Sequence, residues 1–149
     1  MRMTFLSITG AAALATFVAG SAIMAQPRRA PASAPLYPLS EADLGATGKS
    51  GCECVFRMGR RTTLFRIIED ELTIRTRAGL QACTISDEQF SALTDGHGGG
   101  SCAGISMNVR RTGPVRLIPE ADAAEAPASL SLIEGRTRRT LSGLWQCAC

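Results

Sequence analysis

The chain has 149 residues, with 16 Lys and Arg against 13 Asp and Glu, a net charge of +3, six Cys and one His. Hydrophobic residues make up 45%, which excludes a disordered chain, and aromatic residues only 5%, too few for the stacking platform of an RNA-binding sheet. A charge this small gives no case for nucleic acid, and the length fits one domain.

Residues 1–25 read as a secretory signal. Arg2 supplies a short positive start, no charge falls between Met3 and Gln26, and Ile23-Met24-Ala25 offers a small residue for cleavage, with Ala22 as a second candidate. The uncharged run is also about long enough to cross a bilayer, so a retained anchor is the alternative. Cleavage removes Arg2, lowers the net charge to +2 and leaves no stable membrane span. Such a signal predicts a periplasmic or secreted bacterial protein, in a compartment that oxidises thiols. Residues 26–50 follow, with Pro27, Pro31, Pro35 and Pro38 among Ala and Ser. This composition predicts an extended, disordered tether.

All six Cys lie in residues 51–149, the expected compact domain. Its apolar residues recur at every second position, the signature of strands with one buried face. Cys52, Cys54, Phe56 and Met58 alternate with Glu53, Val55 and Arg57. Thr63 to Ile68 is apolar on both sides, as a central strand would be. Leu72, Ile74 and Thr76 form the next stripe. Ser86 followed by Gln89 fits a capping box, with Phe90 and Leu93 on one face of a short helix over 86–94. His97 to Gly100 is expected as a Gly-rich loop. Ile105, Met107 and Val109 alternate with polar residues, 119–128 is expected as a loop, and Leu130 and Leu132 begin another stripe. Leu141, Gly143, Trp145, Cys147 and Cys149 share a face at the end. Turn signals at 59–60, 69–70, 78–79, 113–114 and 135–136 separate the runs. The sum predicts an all-β fold: a small antiparallel barrel or sandwich of about seven strands with one short helix, stabilised by disulfides.

Cys52-x-Cys54 opens the domain and Cys147-x-Cys149 closes it, so each pair puts both sulfurs on one strand face. If the first and last strands pair antiparallel, opposed residues have a constant index sum. Cys52–Cys149 and Cys54–Cys147 share one such sum, and Cys83–Cys102 remains. Cα atoms of opposed residues then lie about 4.5 Å apart, within disulfide reach. A parallel register would instead give Cys52–Cys147 and Cys54–Cys149. Cys52, Cys54, Cys147 and Cys149 could alternatively hold Zn or Cu as thiolates, although the C-x-C spacing and an oxidising compartment favour bridges. Redox exchange would ask for an exposed thiolate, commonly in C-x-x-C. No cofactor is expected.

Three further motifs bear on function. Gly45-Ala-Thr-Gly48-Lys49-Ser50 imitates a phosphate-binding loop, but Asp43 stands where the pattern requires Gly, and the flanking strand and helix are missing. His97, Cys102 and Asp95 could form a small hydrolase set, since Gly100-Ser-Cys102-Ala-Gly104 has the form of a nucleophile elbow. Arg57, Arg66, Arg75, Arg77, Arg110 and Arg116 fall on predicted polar faces and could bind phosphate or carboxylate groups. With Glu53, Glu69, Asp70 and Glu71 interspersed, the plainer expectation is a solvated face. In size and disulfide habit the chain is similar to small exported β-barrel inhibitors of lysozyme. An inhibitor of a basic enzyme needs an acidic contact face, and this chain is mildly basic.

The expectation is therefore an exported non-catalytic β-domain that binds a protein partner or an envelope component, and not nucleic acid. The thiolate metal binder and the hydrolase are the alternatives. The native exported protein is expected to start at Gln26 and to gain six hydrogens on reduction. Intact mass before and after reduction, with metal analysis, checks this; four thiols titrating only after metal removal would favour the thiolate site.

Overall fold

The computed structural model describes residues 36–45 and 48–149. The expected signal segment and the first part of the expected tether lie outside the described residues. The described strands are β1 (Glu53–Met58), β2 (Thr62–Ile68), β3 (Glu71–Thr76), β4 (Gly79–Thr84), β5 (His97–Cys102), β6 (Ile105–Arg111), β7 (Arg116–Ile118), β8 (Ala123–Glu134) and β9 (Thr137–Ala148). They form one antiparallel sheet in the order β4-β3-β2-β1-β9-β8-β6-β5, with β7 beside β8. The sheet curls into a nearly closed barrel, so that its outer strands β4 and β5 meet.

First and last strands are neighbours. β1 pairs with β9 in a register that opposes Cys54 to Cys147 and Phe56 to Trp145. Cys54 is bonded to Cys147, with Cα atoms 4.1 Å apart, and Cys52 to Cys149 at 4.2 Å. Cys83 of β4 is bonded to Cys102 of β5 at 5.5 Å. No ladder joins these two strands. The bond therefore closes the barrel where the hydrogen bonds stop.

Period-2 alternation sends Cys54, Phe56, Phe65, Ile67, Leu72 and Ile74 inward, and all are buried. Phe56 and Phe65 stack with centroids 6.0 Å apart, and Trp145 packs 5.5 Å from Phe65. The indole Nε1 donates to the Leu93 carbonyl at 2.8 Å. A buried indole N–H needs such a partner, and this one fastens α2 (Asp87–Thr94) to β9. Ser86 and Gln89 form the expected capping box at the start of α2.

Four expectations change. The run His97–Gly100 is not a loop but most of β5. Its glycines are there for space: a Cβ on Gly99 would come 2.0 Å from the Met107 carbonyl oxygen, and one on Gly98 would come 2.8 Å from Ala92 Cβ. The expected loop 119–128 already contains the start of β8, whose buried Ala123, Ala126 and Ala128 are too small to mark an apolar stripe. The strands number nine among the described residues, not about seven.

The fourth change concerns the expected tether. Its residues 36–45 pack on the barrel as a strap. Leu36 and Leu39 are buried. The Tyr37 N–H donates to Arg75 O and the Leu39 N–H to Thr63 O, each at 2.8 Å, bridging the ends of β3 and β2. The helical turn α1 (Glu41–Gly45) follows. Proline content predicts poor helix and sheet formation, but two buried leucines help to dock the segment.

Two bridges close almost the same loop, with separations of 97 and 93 residues, so their effects overlap. Replacing Cys52 and Cys149 by Ser is expected to cost under about 1 kcal/mol, whereas removing both bridges should cost roughly 4–5 kcal/mol. Urea unfolding followed by the fluorescence of Trp145, the only tryptophan, measures both.

Candidate functional site

Antiparallel hairpins alternate their turns between the two ends of a sheet. The β1–β2 and β3–β4 turns therefore share one end, and the β2–β3 turn lies at the other. The charges sort accordingly. Arg60 and Arg61 occupy the β1–β2 turn and Arg77 the β3–β4 turn. Glu69, Asp70 and Glu71 surround the β2–β3 turn, answered by Lys49, which pairs with Asp70 and lies 3.8 Å from Glu71. Basic and acidic ends are separated by the length of β2, roughly 20 Å.

The basic end also holds exposed apolar groups. Tyr37 is 37% exposed, Met58 37% and Leu80 36%. Tyr37 bridges to Arg75, and Leu80 pairs with Arg75 from the other side, so three strands' worth of side chains share that outer face. Tyr37, Arg75, Thr76, Arg77 and Gly79 line an open depression of about 330 Å³. Arg60, Arg61 and Arg77 are all exposed.

Of the six arginines singled out from sequence, two hold the strap. Arg66 is buried, not solvated: it donates to the Leu44 carbonyl and its Nε lies 2.8 Å from Glu53 Oε1. Arg75 grips Asp43 with two N–H groups, Nε donating to Oδ2 at 2.9 Å. Asp43 accepts a further bond from the Ser40 N–H at 2.8 Å. The Arg75 guanidinium, and then the Ser40 amide, hold the Asp43 carboxyl well below the usual carboxylate range, and Arg75 is raised in return. Arg57 donates to Gln146 Oε1 at 2.7 Å and to the Arg60 carbonyl at 2.6 Å, which steadies the β1–β2 turn. Arg116 pairs with Glu125 on the surface, and Arg110 is exposed on β6, away from the basic end.

The hydrolase residues do not converge. His97 starts β5 and Cys102 ends it, roughly 17 Å along the strand and on opposite faces. Cys102 is bonded to Cys83, so it offers no thiolate nucleophile. Asp95 caps α2 with its backbone N–H. The four sulfurs of the thiolate alternative are likewise engaged in two disulfides. Among the described residues no group of three or more His, Cys, Asp or Glu is placed to hold a metal ion. A second groove, of about 300 Å³, is lined by Gln89, Ser101, Ser106, Asn108 and Ser131 with the glycines of β5, and offers only neutral hydrogen-bonding groups. Among the described residues no helix is long and apolar enough to cross a membrane.

Sequence reasoning missed Arg60 and Arg61, which sit in a turn, and Tyr37, which sits in the expected tether. The alternation of turns was the available signal, because successive hairpin tips read basic, acidic, basic. The chain matches no known protein family, no curated protein and no solved structure.

The strap should respond to acid. An unfolded Asp titrates near 3.9, and the folded Asp43 titrates lower, so its pairing stabilises fully above that value and is lost as pH falls below it. Asp43→Asn should therefore lower the urea midpoint most above about pH 4, and the gap to wild type should close at lower pH. Limited proteolysis should cut the variant within 36–45 before any site in the barrel.

Proposed function

We propose that this is an exported, non-catalytic bacterial domain of the periplasm or extracellular space, which uses its basic end to bind an anionic component of the cell envelope. The observation that carries it is the placement of Arg60, Arg61 and Arg77 at one end of the barrel, with the acids of the β2–β3 turn at the other. Arg presents planar donors that suit phosphate and carboxylate oxygens, and arginines clustered on neighbouring turns contact one polyanion together. Tyr37 adds an amphipathic ring beside them. Export is supported by the N-terminal sequence and by three disulfides, which persist in an oxidising environment.

Charge reversal at two places on the same fold separates this site from general basicity. Arg60→Glu, Arg61→Glu and Arg77→Glu together should lower retention on isolated cell envelopes at least tenfold. Arg110→Glu, Arg111→Glu and Arg116→Glu, at the far end of β6 and on β7 and with the same net charge, should lower it much less. Equal losses in both triple variants, or none in either, would show that the basic end is not the binding site.

A further inference from the structure

We infer that the anionic component is the lipid bilayer itself: the basic end docks on anionic phospholipid headgroups and seats Tyr37, Met58 and Leu80 at the interface. This rests on the basic end being the binding site and goes on to name the surface it meets.

Two observations point to a membrane over a dissolved polymer. First, the basic end mixes charge with exposed apolar side chains. Tyr37, Met58 and Leu80 are each more than a third exposed, and Arg60, Arg61 and Arg77 flank them. A dissolved polyanion gains little from an exposed Met or Leu. A bilayer accepts both kinds of group, with headgroup phosphates for the guanidiniums and the acyl boundary for the apolar tips. Tyr with Arg suits that boundary, since each has an apolar body and a polar end.

Second, the charge separation orients the approach. An anionic surface attracts the arginine turns and repels the turn carrying Glu69, Asp70 and Glu71, so the barrel arrives with the correct end down.

Each arginine near an anionic surface strengthens binding by about fivefold, and apolar insertion adds to this without a salt dependence. The exported form of the protein, as cells produce it, should be mixed with vesicles of phosphatidylcholine containing phosphatidylglycerol and with vesicles of pure phosphatidylcholine. Co-sedimentation should favour the anionic vesicles, and added salt should weaken it. The Arg60→Glu, Arg61→Glu, Arg77→Glu variant should lose roughly a hundredfold or more. Met58→Ser with Leu80→Ser should weaken binding several-fold and leave its salt dependence unchanged. Wild-type retention on whole envelopes without binding to anionic vesicles would overturn the bilayer inference and leave the basic-end site standing. Unchanged binding in the Met58 and Leu80 variant would overturn the seating of apolar side chains. Loss of neither interaction in the arginine variant would overturn both the docking and the site beneath it.

Discussion

The pairing of β1 with β9 is the constraint on which the rest of the barrel depends. It joins chain segments more than ninety residues apart, so it carries the largest loop-closure cost in the fold. Two disulfides offset that cost by restricting the unfolded chain, and they do so in one register because both C-x-C pairs have the same spacing. The register also opposes Phe56 to Trp145 on the face that carries Cys54 and Cys147. A slip of one residue would turn that whole face to solvent. From this seam the sheet extends in two arms, through β2, β3 and β4 on one side and β8, β6 and β5 on the other.

The far seam works differently. Where the arms meet, β4 and β5 share the Cys83–Cys102 bond but no ladder. Close approach replaces hydrogen bonding there. Gly100 leaves room for Ile85 and Leu72, whose side chains would lie 3.2 and 3.3 Å from a Cβ, and Gly99 lets β5 press against β6. The helix α2 spans from β4 to β5 and is held by the Trp145 bond to Leu93. Leaving two strand edges bare would invite pairing with other chains, and the disulfide, the glycines and the helix together cover them.

Much of this was legible in the residues. Alternation identified β1, β3, β6 and β9, because their inward side chains are large enough to form a visible stripe, and β2 showed as a run apolar on both faces. The equal spacing of the end cysteines points to the β1–β9 register by itself. What escaped had physical causes. At Gly98 to Gly100 of β5 the backbone itself is the packing surface, and a glycine run looks the same in a strand as in a loop. In the first half of β8 alanines do the burying that leucines do in the second. The strap carries too few apolar residues to show a period, and its docking depends on Arg66 and Arg75, which look like surface charges until a partner lies over them.

The candidate site was hidden by averaging. Counted along the chain, arginines and acids alternate and nearly cancel, which suggests a solvated mixed surface. Folding does not preserve that mixing. A meander sends odd and even turns to opposite ends, so charges close in sequence are parted by a strand's length. Arg61 and Glu69 are eight positions apart in the chain and sit at opposite ends of β2. Two arginines are also removed from the surface count, since Arg66 and Arg75 are engaged by the strap. The strap that engages them brings Tyr37 to the same end. The small net charge of +3 therefore conceals an uneven distribution, and the field a partner meets depends on which end it approaches.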